Sequence, residues 1–161
     1  MKVTRTGPRL DIVLSEMTDQ IRHQIESRSY RVANELRNSA QEVLRGQRHG
    51  RRYKVPGTYK RQRDKTDGKM KNGRYYTASA PGEPPAVRTG AFRQSWRPTA
   101  HVVYGQYISR IESDTMTDNG KYNLGQILEN GTSRMAPRPY VDRILDKTEP
   151  EAVRIYSEPY L

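Results

Sequence analysis

The chain has 161 residues and a formal net charge of +11, and only 33% of its residues are hydrophobic. Leu, Ile, Val and Phe make up about 17% of it, so we expect a small core that is stabilised in part by neighbouring subunits. The absence of Cys excludes disulfides and thiol nucleophiles, and no apolar run approaches the roughly 18 residues of a membrane span.

A long amphipathic helix is predicted near the start of the chain. Seven apolar residues recur at helical spacing and form one stripe: Leu14, Met17, Ile21, Ile25, Val32, Leu36 and Val43. Asp11 or Ser15 is expected to cap its start, and Gly46 its end. About 30 helical residues span roughly 45 Å, which exceeds the reach of a small core. The excess stripe is expected to pack on the chain's own sheet or on a sister helix.

The segment 45–74 carries nearly all of the charge imbalance, with twelve Lys or Arg against two Asp. Its glycines and Pro56 break a long helix, and Tyr53, Val55 and Tyr59 suggest a short hairpin around "VPGT". Three interpretations stay open: a solvated loop, contact with nucleic acid, or docking onto an acidic protein. The candidate contact residues are Arg48, Arg51, Arg52, Lys54, Lys60, Arg61, Arg63, Lys65, Lys69, Lys71 and Arg74.

Proline dominates the next stretch, with three residues of this type between positions 81 and 85. They favour extended backbone and reduce the entropy lost on docking. Thr89 is expected to cap one short turn that carries Phe92 and Trp96. These are the only Phe and Trp of the chain, and we expect both in the core.

The remaining elements predict an α+β fold. Residues 101–113 are expected to form one strand with a bulge or bend at Gly105, followed by a turn, a short helix and a final helix. Asn119-Gly120 is expected to form the turn, and Asn130-Gly131 to end the short helix. A capping box of Thr148 and Glu151, with Pro150 in the first turn, is expected in the final helical segment. We expect one domain, 1–161: a long N-terminal amphipathic helix packed on a small, mainly antiparallel sheet, a protruding basic loop or hairpin insertion at 45–74, and a C-terminal helix.

No pattern in the sequence indicates catalysis. The three histidines, at positions 23, 49 and 101, lack metal-ligand spacing, and no phosphate-binding loop or nucleophile elbow occurs. Two pairs of nearby carboxylates are interpreted as solvated surface: Asp114 with Asp118, and Asp142 with Asp146. We therefore expect no catalytic residue, no metal and no cofactor.

Two separated stretches resemble signature segments of one phage family. They are "ASAPGEPPAVRTGAFRQSW" (78–96) and "LENGTSRMAPRPYVDRIL" (128–145), and the family is the neck, or tail-completion, proteins of long-tailed bacteriophages. Phe92 stands where the family usually has Leu, and Tyr140 where it usually has Phe. The matching residues are Ser79, Ala80, Pro81, Gly82, Pro84, Pro85, Thr89, Gly90, Ser95, Glu129, Gly131, Thr132, Arg138 and Pro139.

The resemblance implies a structural virion protein that is assembled in the host cytoplasm. It implies a homo-oligomeric, sixfold ring between the head-closing ring and the tail terminator or tube proteins, with genomic DNA in its channel and no membrane. The alternative is a basic nucleic-acid-binding module that uses the segment 45–74. The candidate subunit-interface residues are Pro81, Gly82, Pro84, Pro85, Thr89, Gly90, Glu129, Gly131, Thr132, Arg138, Pro139 and Tyr140.

Three of these interface candidates carry more detailed expectations. Gly131 is expected to adopt positive φ, and Thr132 to bond nearby backbone. Arg138, held between two prolines, is expected to pair with Glu129 within or between subunits.

Overall fold

The computed structural model of the chain describes residues 9–55, 62–63, 70–71 and 74–160, the two short segments by their backbone alone. The predicted α+β class is confirmed. Within these described residues, the strands form three two-stranded antiparallel pairs: β1 with β4, β2 with β3, and β5 with β6. In chain order the elements are α1 (Leu10–Arg45), β1 (Arg52–Lys54), β2 (Gln62–Arg63), β3 (Met70–Lys71), β4 (Tyr75–Thr77), α2 (Ala91–Gln94), β5 (Arg97–Val103), β6 (Gln106–Glu112), α3 (Leu124–Asn130) and α4 (Val141–Tyr156).

Helix α1 has the predicted course and ends, as expected, at Gly46. Its start differs from the prediction, because the N-cap position is held by Arg9 without a side-chain hydrogen bond. Ser15 lies inside the helix and donates to the carbonyl of Ile12. Asp11 falls in the first turn, where a negative charge interacts favourably with the helix dipole.

The core lies where the second half of α1 meets α4 and the β5–β6 hairpin. Its buried cluster consists of Leu36, Ala40, Leu44, Tyr140 and Ile144. The predicted aromatic anchors are confirmed, because Phe92 and Trp96 pack against this cluster. Burial is therefore confined to the later turns of α1 and to the elements that follow the basic segment.

Residues 101–113 do not form the single strand predicted for them. They belong to a hairpin in which β5 begins at Arg97 and the chain reverses at Tyr104-Gly105. Both turn residues have positive φ, +48° and +77°, and this backbone matches the twist of a two-residue hairpin. Gly105 therefore makes a full reversal where the sequence suggested only a bend.

The predicted capping box of Thr148 and Glu151 is also wrong, because α4 runs without interruption through Pro150. Thr148 is buried, and its hydroxyl donates to the carbonyl of Ile144. Packing of α4 on α1 holds this segment helical despite the missing N–H of Pro150. An ion pair of 2.8 Å between Lys147 and Glu42 also joins the two helices.

The basic segment pairs its two ends. Strand β1 lies antiparallel to β4, with Tyr53 opposite Tyr76 and Lys54 opposite Tyr75. Farther along the chain, the backbone of β2 pairs with that of β3. The described partner of β1 thus lies directly after the segment, at Tyr75–Thr77. Of the short hairpin predicted around "VPGT", residues 56–59 lie outside the described residues.

Candidate functional site

The two stretches that carry the family resemblance fold against each other, at what we call the motif junction (79–83 against 137–143). The guanidinium of Arg138 donates to the hydroxyl of Ser79 at 2.6 Å. The N–H of Gly82 donates to the carbonyl of Pro137 at 3.2 Å, and Arg143 donates to the carbonyl of Gly82 at 3.0 Å. Each stretch thus donates hydrogen bonds to the other, and these bonds join residues about 60 positions apart in the chain.

A tight turn at Ala80–Glu83 shapes one side of the junction. The N–H of Glu83 donates to the carbonyl of Ala80, with Pro81 and Gly82 between them. Gly82 has φ +78°, the value that the third residue of a type II turn requires, and Pro81 supplies the fixed φ preferred at the second. The sequence "APGE" therefore specifies the turn conformation in which Gly82 forms hydrogen bonds with the carbonyl of Pro137 and the guanidinium of Arg143.

The carboxylate of Glu83 ties this turn to the chain after α1. It accepts from the N–H of Ala80 at 2.8 Å and from the N–H of His49 at 3.1 Å, and it lies 2.6 Å from His49 Nδ1. The Ala80 N–H, followed by the two His49 groups, lowers the pKa of Glu83 to about 2. The carboxylate is thus held ionised as a structural acceptor.

Glu129 closes the other side of the junction by capping α4. Its Oε2 accepts from the N–H groups of Tyr140 and Val141, at 2.9 and 3.3 Å. A negative charge at a helix N-terminus is favourable, and these N–H groups have no partner within the helix. The predicted pairing of Glu129 with Arg138 is therefore wrong within the protomer, since Arg138 bonds Ser79 and Glu129 bonds backbone.

An aromatic cluster fills the space behind the junction. The rings of Phe92, Trp96 and Tyr140 meet edge to face, with centroids 5.5 to 6.0 Å apart. The hydroxyl of Tyr140 donates to the carbonyl of Gly125 at 3.2 Å. Burial, and then the charge of Glu129, raises the pKa of Tyr140 to about 12. The hydroxyl is thus a neutral donor that locks α3 to the start of α4.

The turn after α3 matches its prediction. Gly131 has φ +75° and its N–H donates to the carbonyl of Ile127, which ends the helix. The hydroxyl of Thr132 accepts from the N–H of Arg134 at 3.2 Å. A Cβ at position 131 would lie 2.6 Å from the carbonyl oxygen of Met135, so backbone crowding adds to the need for Gly.

The predicted interface residues differ widely in exposure. Pro84, Pro85 and Tyr140 are buried within the chain itself, so their side chains support the junction and present no surface to a neighbour. The partly buried candidates are Gly90, Glu129, Gly131, Arg138 and Pro139. The exposed candidates are Pro81, Gly82, Thr89 and Thr132.

Among the predicted basic contacts, Arg48 has an internal role. Its Nη2 donates to the carbonyls of Val43 and Pro85, at 2.8 and 3.1 Å, and so satisfies the C-terminal end of α1. Burial lowers the pKa of Arg48. Because this guanidinium already donates to two carbonyls, it is poorly placed to bind phosphate. Arg48 therefore stabilises the fold.

Strands β1 and β4 present two chemically different faces. On one face the guanidinium carbon of Arg52 lies 4.6 Å from the centroid of Tyr75, and Lys54 Nζ lies 5.7 Å from the same centroid. On the other face Tyr53 and Tyr76 stack with centroids 5.9 Å apart. Arg51 lies near Tyr53, and Arg74 is exposed. The other basic candidates, which lie outside the described side chains, are Lys60, Arg61, Arg63, Lys65, Lys69 and Lys71.

The stacked tyrosines form one wall of a feature that the sequence analysis missed. An open groove of about 790 Å³ lies between this sheet, the segment 85–93, the turn at 115–119 and α3. Arg88, Arg93 and Arg138 also line it, with Asp118 as their only acidic companion among the described lining residues. Its apolar lining includes Leu44, Tyr53, Tyr76, Phe92, Met116 and Leu128. Seven separate parts of the chain line it, so no local pattern could reveal it.

The first three turns of α1 are exposed. Leu10, Leu14 and Met17 leave 59%, 53% and 37% of their surface open, and residues 14–20 are all exposed. The stripe becomes partly buried at Ile21 and fully buried at Val32. The expectation that the helix outruns the core is therefore confirmed within the protomer.

No protein-family model matches the sequence, and searches of curated proteins and of solved structures give no significant match. Within the described residues, no helix has the length and apolar character to cross a bilayer. The same residues contain no group of three His, Asp or Glu side chains placed to hold a metal ion.

Proposed function

We propose that the chain is a structural protein of a long-tailed phage neck, where copies form a sixfold ring between the head-closing ring and the tail. Each ring surrounds the channel through which the genome passes. In this proposal the chain performs no reaction, and its surfaces serve only to bind neighbouring subunits, adjoining rings and DNA.

The motif junction is the observation that carries the proposal. The residues that match the family include those whose residue type the local geometry requires. Gly82 and Gly131 hold positive φ, Glu129 caps α4, and Arg138 bonds Ser79. Two stretches that resemble one family by sequence alone thus form a single bonded unit. A chance similarity in two separate stretches gives no reason to expect such a unit.

Charge and exposure provide further support. The small core and the uncovered start of α1 suit a subunit that is completed by neighbours. Six copies would bring together a charge of about +60 from the basic segments alone, enough to hold DNA phosphates or an acidic ring. Basic segments that line the channel would bind DNA phosphates, and basic segments at the edge of the ring would bind an acidic neighbouring ring.

The proposal is tested by deleting the gene from the phage that encodes the chain. We expect filled heads and finished tails that fail to join, and restored infectivity when the wild-type gene is supplied in trans. A deletion mutant that still yields joined, infectious particles of normal shape would rule the proposal out. Supplying Arg138→Ala should restore infectivity poorly, whereas Arg134→Ala, an exposed Arg nearby, should restore it well.

A second candidate function, nucleic-acid binding by the basic segment, is favoured by Arg52 and Lys54 beside Tyr75. Cationic groups next to an exposed ring can contact phosphates while the ring stacks on a base. If this face binds DNA, Arg52→Ala with Lys54→Ala should reduce the slope of log affinity against log salt by about 2. Removing Arg22 and Arg134 instead, an equal loss of charge elsewhere, should leave the slope nearly unchanged. Equal effects of the two double variants would exclude a dedicated DNA-binding face.

A further inference from the structure

Arg28 of α1 is a buried charged residue, with 5% of its surface exposed. Among the described residues it forms no ion pair, and its guanidinium donates instead to the carbonyls of Glu158 and Pro159. The ring centroid of Tyr160 lies 3.8 Å from its guanidinium carbon. These partners belong to the segment that follows α4, which we call the strap (157–160). A buried guanidinium is costly unless its donors are satisfied, so the burial of Arg28 depends on the strap.

The strap also binds the next turn of α1. Both carboxylate oxygens of Glu158 accept from Arg31, at 2.6 and 2.8 Å, and such paired bonds fix the orientation of the two groups. The side chains of Arg31 and Glu158 are 43% and 32% exposed, so solvent weakens this ion pair. Within α1 itself, Gln24 gives Arg28 one further acceptor, at 3.1 Å. The contacts of the buried Arg28 are therefore the main attachment of the strap.

The same part of α1 is held by the β5–β6 hairpin as well. The hydroxyl of Ser109 donates to the carbonyl of Ser29 at 2.8 Å, and it lies 3.0 Å from the hydroxyl of Tyr156 at the end of α4. Residues 14–20 are all exposed, and Arg28 is the first buried residue of the helix. Burial of α1 therefore begins where the strap and the hairpin both contact it.

We propose that the strap is a conformational device that holds residues 21–31 of α1 on the protomer and opens while the core stays folded. The core cluster and the residues packed against it include no residue of the strap. Opening would expose the guanidinium of Arg28 to water, which solvates its charge, and short peripheral segments open locally at low free energy. An open strap would leave residues 21–31 held by the hairpin. This inference concerns the protomer and does not depend on the ring proposed above.

Hydrogen–deuterium exchange of the purified chain tests the strap. Deleting residues 157–161 should speed amide exchange in residues 21–31 by roughly tenfold or more, while residues 36–44 keep their wild-type rates. Glu158→Gln weakens the ion pair with Arg31 and should give a smaller increase in the same residues. Glu149→Gln, at an exposed position of α4, removes the same charge and should leave exchange unchanged.

The two measured regions distinguish a strap that opens locally from a part of the core. Equal acceleration of residues 21–31 and 36–44 after the deletion would show that the strap belongs to one cooperative unit with the core, and would overturn the inference. Wild-type exchange in both regions would show that the hairpin alone holds the helix, and would overturn it as well.

A second variant asks whether Arg28 acts through the strap. Arg28→Met keeps most of the apolar stem and removes the donors, so in the full chain it should speed exchange in residues 21–31. In the chain that lacks residues 157–161 the same substitution should add little, because the donors have already lost their partners there. Additive effects of the substitution and the deletion would show that Arg28 and the strap act independently, and would overturn the inference.

Discussion

At the scale of single residues, the motif junction depends on side chains and glycines that no close substitute can replace. Glu83 accepts three hydrogen bonds, one from Ala80 within the Ala80–Glu83 turn and two from His49 in the chain after α1. Glu129 accepts two that begin α4. Gly131 has a backbone conformation of φ +75° and ψ −171° that is essentially confined to Gly. The junction is therefore specified by a few residues of defined chemistry.

We predict that Gly131→Ala lowers the free energy of unfolding by about 1–3 kcal/mol. Alanine strains the backbone at this φ, and its Cβ would lie 2.6 Å from the carbonyl oxygen of Met135. Urea unfolding followed by circular dichroism measures the loss. Gly120→Ala is the matched control, since φ is +68° there but nothing lies within 4 Å. An equal loss in both variants would show that crowding at position 131 is unimportant.

Stability should fall in acid as Glu83 becomes protonated. Its pKa is lowered from 4.5 to about 2 in the folded chain, so its contribution is complete above about pH 4.5 and disappears as the pH falls towards 2. The wild-type chain should thus exceed Glu83→Gln in stability at pH 6, and the difference should shrink between pH 4.5 and 2. Urea unfolding at several pH values measures it, and a difference that stays constant over this range would contradict the assignment.

At the scale of elements, the sequence predicts what is local and misses what depends on distant contacts. The apolar residues of α1 from Leu14 to Val43 keep to one stripe at helical spacing, so that helix is predicted from the sequence. The hairpin at Tyr104-Gly105 was missed because a positive φ at Tyr104 is unusual for a bulky residue. The sequence around Pro150 predicts a helix start. The structure differs because α4 packs on α1, a contact between residues that are distant in the sequence.

Pro150 leaves the carbonyl of Asp146 without its usual helical N–H partner. We predict that Pro150→Ala raises the free energy of unfolding, by up to about 3 kcal/mol, because Ala restores that bond and suits a helix interior. Chemical denaturation measures the change. Glu149→Ala, an exposed neighbour in the same helix, should alter stability by no more than about 0.5 kcal/mol. A lower stability of the Pro150→Ala chain would show that the proline suits the helix as it stands.

At the scale of the whole molecule, the described residues have a small core, an exposed apolar start of α1 and an open groove with Arg88, Arg93 and Arg138 in its lining. Strands β1 and β4 add a cationic, tyrosine-bearing face. The candidate interface was predicted from two motifs, but the structure places several of those residues inside the fold. The surfaces available to neighbours are instead assembled from segments that are distant in the sequence.

Electron cryomicroscopy of the neck in intact particles tests the central claim most directly. The account predicts density for this chain as a closed ring of six copies around the DNA channel. Particles whose neck density is fully explained by other proteins, with this chain absent from the purified virion by mass spectrometry, would contradict it.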